Sequence, residues 1–330
     1  MTAHILAQSS VGCSAFLGGI LKNYDSNLIL SDKSDLVVVE ADEYDRSFHH
    51  LRPYMAVITA TDADHLDIYG TYEAYLESFR HFTSLIRPEG VLIVKKGLPL
   101  CPELAEGVRL YTYSLDDGGD FYARNIRMGN GKILFDWVYP GGVVSDIDLG
   151  VPVRVNIENG VAAMALAWLN GAAPEEMRRA MKTFAGARRR FDFWIREGKT
   201  VLVDDYAHHP QEIAATLSAA KNYPHKKLWC VFQPHTYTRT KALLPEFAKA
   251  LSLADHVVVA DIYAARETDT LRISSGDIQK RLQDAGTTAY YFHSFDEIEQ
   301  FLLKKCMNGD LLITMGAGDI VNVGEHLLGQ

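Results

Sequence analysis

The chain has 330 residues, of which 48% are hydrophobic and 23% are charged, and its formal net charge at pH 7 is -9. This length suits two domains, each with enough apolar residues to bury a core. The negative charge argues against nucleic-acid binding, and no apolar stretch has the length of a membrane span. The four cysteines are scattered and form no CxxC pair, which fits a cytoplasmic protein without a disulfide or a zinc site.

The first half of the chain predicts alternating strands and helices. Residues 1–8 have the pattern of a helix, but no capping residue precedes them. The other predicted elements are strands at 36–39, 56–59 and 90–94, helices at 72–85, 159–169 and 174–184, and antiparallel hairpins within 120–148.

A basic run at residues 188–190 separates this half from a second one, in which the alternation starts again. We therefore predict two domains, residues 1–187 and 188–330. The predicted strands of the second domain are 200–203, 227–232, 256–260, 289–292 and 311–314, and its predicted helices are 210–220, 240–251, 274–284, 296–306 and 320–328. Regular alternation predicts an α/β fold in which helices cover both faces of a parallel sheet.

Two acidic clusters follow two strands of the first half that we expect to be neighbours. Glu40 opens the first cluster, and the second, at residues 61–67, combines three aspartates with His65. Ligands of open α/β sheets bind at the carboxyl ends of the strands, and carboxylates with one imidazole suit Mg²⁺ held against phosphates. The alternative is that these acidic residues only cap helices or solvate loops. Two such clusters, one with a histidine, favour a metal site.

Polar clusters also follow the strands of the second half. They include Tyr206 and His208 after the first strand, and His235 and Arg239 after the second. Arginine pairs carboxylates in a fork, and tyrosine and histidine supply directed hydrogen bonds, so this edge suits an anionic substrate.

Simpler interpretations exist for several of these residues. Asp204 or Asp205 would serve as a cap for the helix that starts at Pro210. Adjacent histidines rarely bind one ion, so zinc at residues 208–209 is not expected. The pair of glycines at 316 and 318 is explained by a tight turn as well as by a dinucleotide site, and the basic run by a solvated linker.

Taken together, the motifs resemble one family, the ATP-dependent Mur ligases of bacterial cell-wall synthesis. The matching segments run in the family's order over nearly the whole chain. They are EADEYDRSF (40–48), DADHLDIY (62–69), NIENGVAA (156–163), RRRFD (188–192), DDYAHHP (204–210), FQPHTYTRT (232–240), DIYAARE (261–267) and MGAGDI (315–320).

The resemblance is greatest to the members that attach L-alanine to the lactyl carboxylate of UDP-N-acetylmuramate through an acyl phosphate. It implies ATP and Mg²⁺ as cofactors, a central ATPase domain of the P-loop type with a small antiparallel part, and a Rossmann-like C-terminal domain. The residue roles that it implies are Glu40 and His65 for magnesium, Asn156 and Asn159 for adenine, Arg190 for the ATP phosphates, Asp205 for the nucleotide side of the C-terminal domain, and Tyr206, His208, His235 and Arg239 for the muramyl substrate and alanine.

The chain also departs from the family pattern. No GxxGK[ST] phosphate loop occurs in it, and nothing corresponds to the family's N-terminal UDP-binding domain. We therefore expect an N-terminally truncated ligase that is inactive alone. Family members often carry an arginine where this chain has Thr236 and a glycine where it has Arg266. The alternatives are the related ligase that recycles preformed peptides and a non-catalytic binding module with the same fold.

Overall fold

The computed structural model describes residues 1–62, 66–116, 118–195 and 201–329. Two compact units share the chain, one of residues 1–128 and 132–185 and one of residues 129–131 and 186–330. The division at residue 186 lies two residues before the predicted boundary. No helix among the described residues has both the length and the apolar character needed to cross a membrane.

The chain before residue 186 forms the following elements. They are α1 (Thr2–Ala7), β1 (Ser14–Leu21), β2 (Ser26–Ile29), β3 (Val37–Val39), a 3₁₀ helix (Tyr44–His50), β4 (Met55–Ile58), α2 (Leu66–Tyr69), α3 (Tyr72–Ser84), β5 (Val91–Lys95), β6 (Arg109–Asp116), β7 (Phe121–Gly129), β8 (Lys132–Tyr139), β9 (Gly142–Asp148), α4 (Val155–Leu169) and α5 (Pro174–Thr183).

These strands form two sheets in the described part of the chain. One has the order β2-β1-β3, and the other has the order β4-β5-β6-β7-β8-β9. Strands β4, β5 and β6 are parallel, whereas β8 and β9 are antiparallel, as the hairpin signals predicted. Strand β5 is buried on both faces: Val91 and Ile93 belong to the core that contains α1 and α4, and Leu92 and Val94 face the core that contains α3.

The chain after residue 186 forms a third sheet with its helices. Its elements are β10 (Asp192–Ile195), β11 (Val201–Asp205), α6 (Pro210–Ala220), β12 (Leu228–Phe232), α7 (Tyr237–Ala242), α8 (Leu244–Leu251), β13 (His256–Val259), α9 (Ser275–Asp284), β14 (Thr288–Tyr291), α10 (Phe295–Lys305), β15 (Leu311–Met315) and α11 (Val321–Leu327).

The third sheet has the order β10-β11-β15-β12-β13-β14. All its strands are parallel except β10, which is antiparallel at the edge. The predicted parallel α/β fold is therefore confirmed. The alternation arises because each parallel strand is nearly continuous in apolar residues, and proline or a serine cap then starts several of the helices.

Two features differ from the sequence predictions. The single helix predicted at residues 240–251 is two helices, because Pro245 lacks an N–H and the backbone leaves the helical conformation at Leu243. Strands β1, β2, β6 and β10 were not predicted. Two adjacent glycines interrupt the apolar pattern of β1, and β10 is a four-residue edge strand beside a basic run.

Candidate functional site

The carboxyl ends of β11, β15 and β12 meet at one edge of the sheet in the second unit. β15 lies between β11 and β12 although it is the last strand of the chain. The connections that leave neighbouring strands therefore diverge here, and open α/β sheets bind ligands at such switch points. The segments at this edge start at Tyr206, Gln233 and Gly316, directly after the three strands.

Aromatic and basic side chains form a continuous row at this edge. The rings of Tyr206 and His208 have centroids 5.6 Å apart, and those of His208 and His235 are also 5.6 Å apart. The ring of Tyr263 stacks on the other side of His235 at 5.7 Å. Nη1 of Arg239 lies 3.4 Å from Nδ1 of His235. The structure thus brings together Tyr206, His208, His235 and Arg239, as their clusters led us to expect.

The start of α7 holds His235 and Arg239 in place. Thr236, between β12 and α7, has φ +65° and ψ 146°, a conformation that β-branched residues rarely adopt. Its N–H donates to the carbonyl of Tyr263 at 2.9 Å, and its hydroxyl accepts from the backbone N–H of Arg239. Glu267 accepts both the N–H and the hydroxyl of Thr238 at 2.9 and 2.6 Å. The DIYAARE segment therefore supports the turn that carries the row.

The two histidines of the row are partly buried beside arginine. Burial lowers the pKa of His208 and also that of His235, and Arg239 lowers both further. Both imidazoles are therefore neutral near pH 7. A neutral imidazole beside a guanidinium can accept a proton while the guanidinium pairs a carboxylate.

Asp204 and Asp205 lie under this edge and do not cap α6. The carboxylate of Asp204 is paired with Arg189 at 3.2 Å and accepts the hydroxyl of Thr314 at 2.8 Å. The carboxylate of Asp205 accepts the backbone N–H groups of Phe191 and Ala207 at 2.7 and 2.8 Å, and burial raises the pKa of Asp205 to about 6. The capping interpretation of these two residues is therefore wrong, because both side chains point to partners outside the helix.

The arginines of the basic run have different environments. Arg189 is half-buried and donates to the carbonyl oxygens of Gly316 and Gly318. Arg190 is exposed, with its guanidinium carbon 5.5 Å from the centre of the Tyr206 ring, and that of Arg189 lies 4.9 Å from the same ring. The run is therefore part of the site edge and not only a solvated linker.

Glu40 in the first unit directly follows β3, as predicted. Its carboxylate is exposed and accepts the backbone N–H of Gly18 at 2.9 Å. A Cβ on Gly18 would lie only 2.9 Å from Oε1 of Glu40, so the carboxylate would have to shift if another residue stood at position 18. A carboxylate that accepts one N–H keeps further lone pairs for a hydrated divalent cation, so the chemistry of Glu40 fits Mg²⁺.

The second predicted magnesium ligand, His65, lies outside the described residues. Within the described ranges, no group of three or more His, Cys, Asp or Glu side chains is arranged to hold a metal. We expected the strands before the two acidic clusters, β3 and β4, to be neighbours in one sheet. This prediction is wrong, since β3 pairs with β1 whereas β4 pairs with β5 in another sheet. Order along the chain does not by itself fix which strands pair.

Asn156 and Asn159 lie on one face of the first turns of α4. Nδ2 of Asn159 donates to Oδ1 of Asn156 at 3.2 Å, and Nδ2 of Asn156 donates to the carbonyl of Val151 at 3.2 Å. The helix begins at Val155, four residues earlier than predicted. Asn159 is exposed and keeps its own amide oxygen as an acceptor, which suits an exocyclic amine such as that of adenine.

Three residues at the second unit's edge were not among the predicted site residues. Tyr263 stacks on His235, Arg189 ties two loops together, and Glu212 contacts His208. Glu212 had a sequence signal, because a Glu at the third helical position after His209-Pro210 is typical of a capping box. Arg189 and Tyr263 had no distinguishing signal within their clusters.

Comparison with family models finds two matches. The model described as "Mur ligase middle domain" matches residues 6–167, and the model described as "Mur ligase, glutamate ligase domain" matches residues 189–318. Together they cover both units of the chain.

Curated relatives and solved structures agree with these matches. The UDP-N-acetylmuramate–L-alanine ligase of Phocaeicola vulgatus is 56% identical over 330 residues, which are all of this chain and 71% of that protein. The ligase of the same name from Parabacteroides distasonis is 59% identical over 276 residues, 83% of this chain and 60% of that protein. The crystal structure of the UDP-N-acetylmuramate-alanine ligase of Thermotoga maritima superposes with a TM-score of 0.82 at 26% identity, covering 99% of this chain and 71% of that one.

Proposed function

The chain belongs to the Mur ligase family, and we propose that it supplies the central and C-terminal parts of a ligase that joins L-alanine to UDP-N-acetylmuramate. The observation that carries the proposal is the row of Tyr206, His208, His235 and Arg239 at a switch point of the sheet. Its support is the 56% identity over the whole chain to a relative of that name.

The proposed reaction has two steps. ATP first phosphorylates the lactyl carboxylate of UDP-N-acetylmuramate, which gives an acyl phosphate and ADP. The amine of L-alanine then attacks the acyl carbon, an amide bond forms and phosphate leaves. Activation is needed because a free carboxylate is a poor electrophile, and the phosphoryl group makes its oxygen a good leaving group.

In this proposal the first unit, within residues 1–187, is the ATPase domain. Asn156 and Asn159 bind the adenine ring, and Glu40 with His65 holds Mg²⁺. When bound, Mg²⁺ neutralises charge between the ATP phosphates and the attacking carboxylate. The exposed carboxylate of Glu40 and the exposed amide of Asn159 support these assignments.

The second unit, within residues 188–330, is the domain for the muramyl substrate and alanine. Arg239 pairs a substrate carboxylate, His235 and Tyr206 orient the substrate by hydrogen bonds, and His208 acts on the amine. Arg190 binds the ATP phosphates, and its exposed guanidinium supports this role. The buried Asp205 orients the backbone on the nucleotide side through Phe191 and Ala207.

The proposal includes a cytoplasmic location, supported by four free cysteines that form no disulfide. It requires neither a nucleic acid nor a membrane as partner.

The alternative of a peptide-recycling ligase has weaker support. The murein peptide ligase of Psychrobacter arcticus shares the fold at 20% identity, with a TM-score of 0.63 over 99% of this chain and 73% of that one. In this chain Asp45 runs directly into Arg46-Ser47-Phe48, without the longer spacer expected of that group. The alternative of a non-catalytic module does not explain why magnesium, adenine and substrate residues all occur together.

The test compares the 330-residue chain with a chimera in which it is joined to the part of the Phocaeicola vulgatus ligase that it does not cover. Mg²⁺·ATP binding is measured by calorimetry, and product is measured by mass spectrometry with UDP-N-acetylmuramate and either L-alanine or a tripeptide. We expect L-alanine product from the chimera, none from its His208→Gln variant, and none from the 330-residue chain. A folded chimera that neither binds ATP nor forms the L-alanine product would refute the proposal.

A further inference from the structure

The imidazole of His208 has a defined hydrogen-bonding side. Its Nδ1 lies 3.1 Å from the carbonyl oxygen of Tyr206. A carbonyl oxygen can only accept, so the neutral ring carries its proton on Nδ1 and leaves a lone pair on Nε2. The ring of His235, 5.6 Å away, lies in the same row along the site edge.

Glu212 faces the same nitrogen of His208. Its Oε2 lies 3.6 Å from Nδ1 of His208 and also accepts the backbone N–H groups of His208 and His209 at 3.1 and 3.3 Å. Its Oε1 lies 3.9 Å from Nη1 of Arg190. Two backbone donors therefore fix the carboxylate of Glu212 beside Nδ1 of His208. From this position its negative charge stabilises the protonated imidazole. A base oriented by a third group in this way is a recurring arrangement in enzymes.

The charges around His208 come from α6, from α7 and from the segment before β10. Burial lowers the pKa of His208, whereas Glu212 and the carbonyl of Tyr206 raise it, and Arg239 and Arg190 lower it. The imidazole is neutral near pH 7, yet Glu212 compensates part of the cost of protonating it. This combination suits a group that accepts a proton for a short time during a reaction.

We propose that Glu212 is a positioning residue that, beside the carbonyl of Tyr206, favours the Nδ1–H form of His208 and stabilises its protonated state by charge, so that Nε2 takes a proton from the ammonium group of the incoming amino acid. This inference deepens the proposed function and rests on it for the identity of the amine. One ammonium proton passes to Nε2, and the resulting amine attacks the acyl carbon. As the bond between that carbon and the phosphate oxygen breaks, a second N–H proton leaves with the phosphate. His208 then releases its proton to solvent.

A purely structural explanation of Glu212 has to be separated from this one. Glu212 is the third residue of α6, where Glu or Gln completes a capping box. Glu297 has the same position in α10, where it accepts the backbone N–H of Ser294 at 3.2 Å. Glu212→Gln keeps a capping side chain but removes the charge, and Glu297→Gln is the matched control at a helix away from the site.

The experiment is ¹⁵N NMR of the 330-residue chain with labelled histidine, in which His208→Gln identifies the His208 signal. In the wild type we expect His208 as the Nδ1–H tautomer. Glu212→Gln should lower the pKa of His208 by roughly half a unit, as expected when an opposite charge is lost at a partly exposed site, and Glu297→Gln should leave it unchanged. A wild-type Nε2–H tautomer, or an unchanged pKa in folded Glu212→Gln, would overturn the proposal.

A kinetic measurement on the chimera completes the test. Glu212→Gln should lower kcat about tenfold or more and leave the KM for ATP unchanged, whereas Glu297→Gln should change neither. If the wild-type chimera makes no product although the NMR results are as expected, the proposed function is refuted. The pairing of Glu212 with His208 still stands in that case. If product forms but Glu212→Gln keeps full kcat, the positioning role fails alone.

Discussion

The Nε atom of Arg189 lies 3.2 Å from Oδ2 of Asp204, whose side chain is fully buried. The same guanidinium donates to the carbonyl of Gly316 at 2.7 Å, so it joins the ends of β11 and β15. Burial raises the pKa of Asp204 despite the nearby guanidinium and the hydroxyl of Thr314. The carboxylate therefore depends on its partners to remain ionised inside the unit.

Arg189→Met should destabilise the second unit by about 3 kcal/mol, because a buried charge then loses its partner. In the background of Asp204→Ala the same substitution should cost about 1 kcal/mol or less. The measurement is urea unfolding with ¹⁹F-labelled tryptophan, where the signal of Trp229 reports the second unit separately from that of Trp137. Equal costs of Arg189→Met in the two backgrounds would show that the pair is not coupled.

The sequence allowed the strands and helices of the second unit to be predicted closely. Strand β12 reads as an unbroken apolar run because both of its faces are buried, and Pro210 marks the start of α6 because proline fits only the first turn. The convergence of His208 and His235 followed from the same pattern, since carboxyl ends of parallel strands share an edge.

The rest depended on long-range pairing that no local pattern contains. The placement of β15 between β11 and β12 decides which loops meet at the edge, and it is set by the packing of the whole sheet. Arg189, which pairs with Asp204, has a positive φ of 59°, which the sequence does not indicate. The separation of β3 from β4 could not be predicted for the same reason, because alternation along the chain is compatible with several strand orders.

Thr236 should be the most strained residue of the site edge. A β-branched residue at φ +65° costs about 1–3 kcal/mol, which glycine avoids. Thr236→Gly should therefore raise the stability of the second unit by about 1 kcal/mol, since replacing a helix cap by glycine costs only a few tenths. It should also lower kcat of the chimera several-fold, because a looser turn no longer fixes His235 and Arg239.

Thr236→Ala is the matched control for this strain. Alanine keeps the Cβ at the unfavourable φ and loses the hydroxyl that accepts the N–H of Arg239. It should lower the stability of the unit by about 1 kcal/mol. If Thr236→Gly is as destabilising as Thr236→Ala in urea unfolding, the hydroxyl is important and the strain is not.

His4 should make the first unit sensitive to acid. The side chain is buried, with Nδ1 3.0 Å from the hydroxyl of Tyr24 and Nε2 3.1 Å from that of Thr183. Burial lowers the pKa of His4 to about 4, from about 6.5 in an unfolded chain. The unfolded state therefore binds the proton first, and up to ~3 kcal/mol of stability is lost as the pH falls from 6.5 to 4.

The check is the pH dependence of urea unfolding, followed through the ¹⁹F signal of Trp137. His4→Gln keeps hydrogen-bonding groups without a titratable ring, so its stability should fall much less over this pH range. The exposed His50 is the control, and His50→Gln should show the slope of the wild type. An equal slope for wild type and His4→Gln would show that other groups cause the acid sensitivity.

Gly18 should control the position of Glu40. A Cβ at this position would lie 2.9 Å from Oε1 of Glu40, closer than real Cβ contacts allow, and 3.1 Å from its Cδ. Gly18→Ala should therefore displace the carboxylate and remove its hydrogen bond with the backbone N–H of residue 18. If Glu40 holds Mg²⁺, the affinity of the chimera for Mg²⁺·ATP should fall about tenfold, roughly the loss of one well-placed charged ligand contact.

Calorimetry measures this affinity, and Gly129→Ala is the control because a Cβ there meets no atom within 4 Å. Unchanged affinity in Gly18→Ala, with the Glu40→Gln variant also unaffected, would remove Glu40 from the metal site.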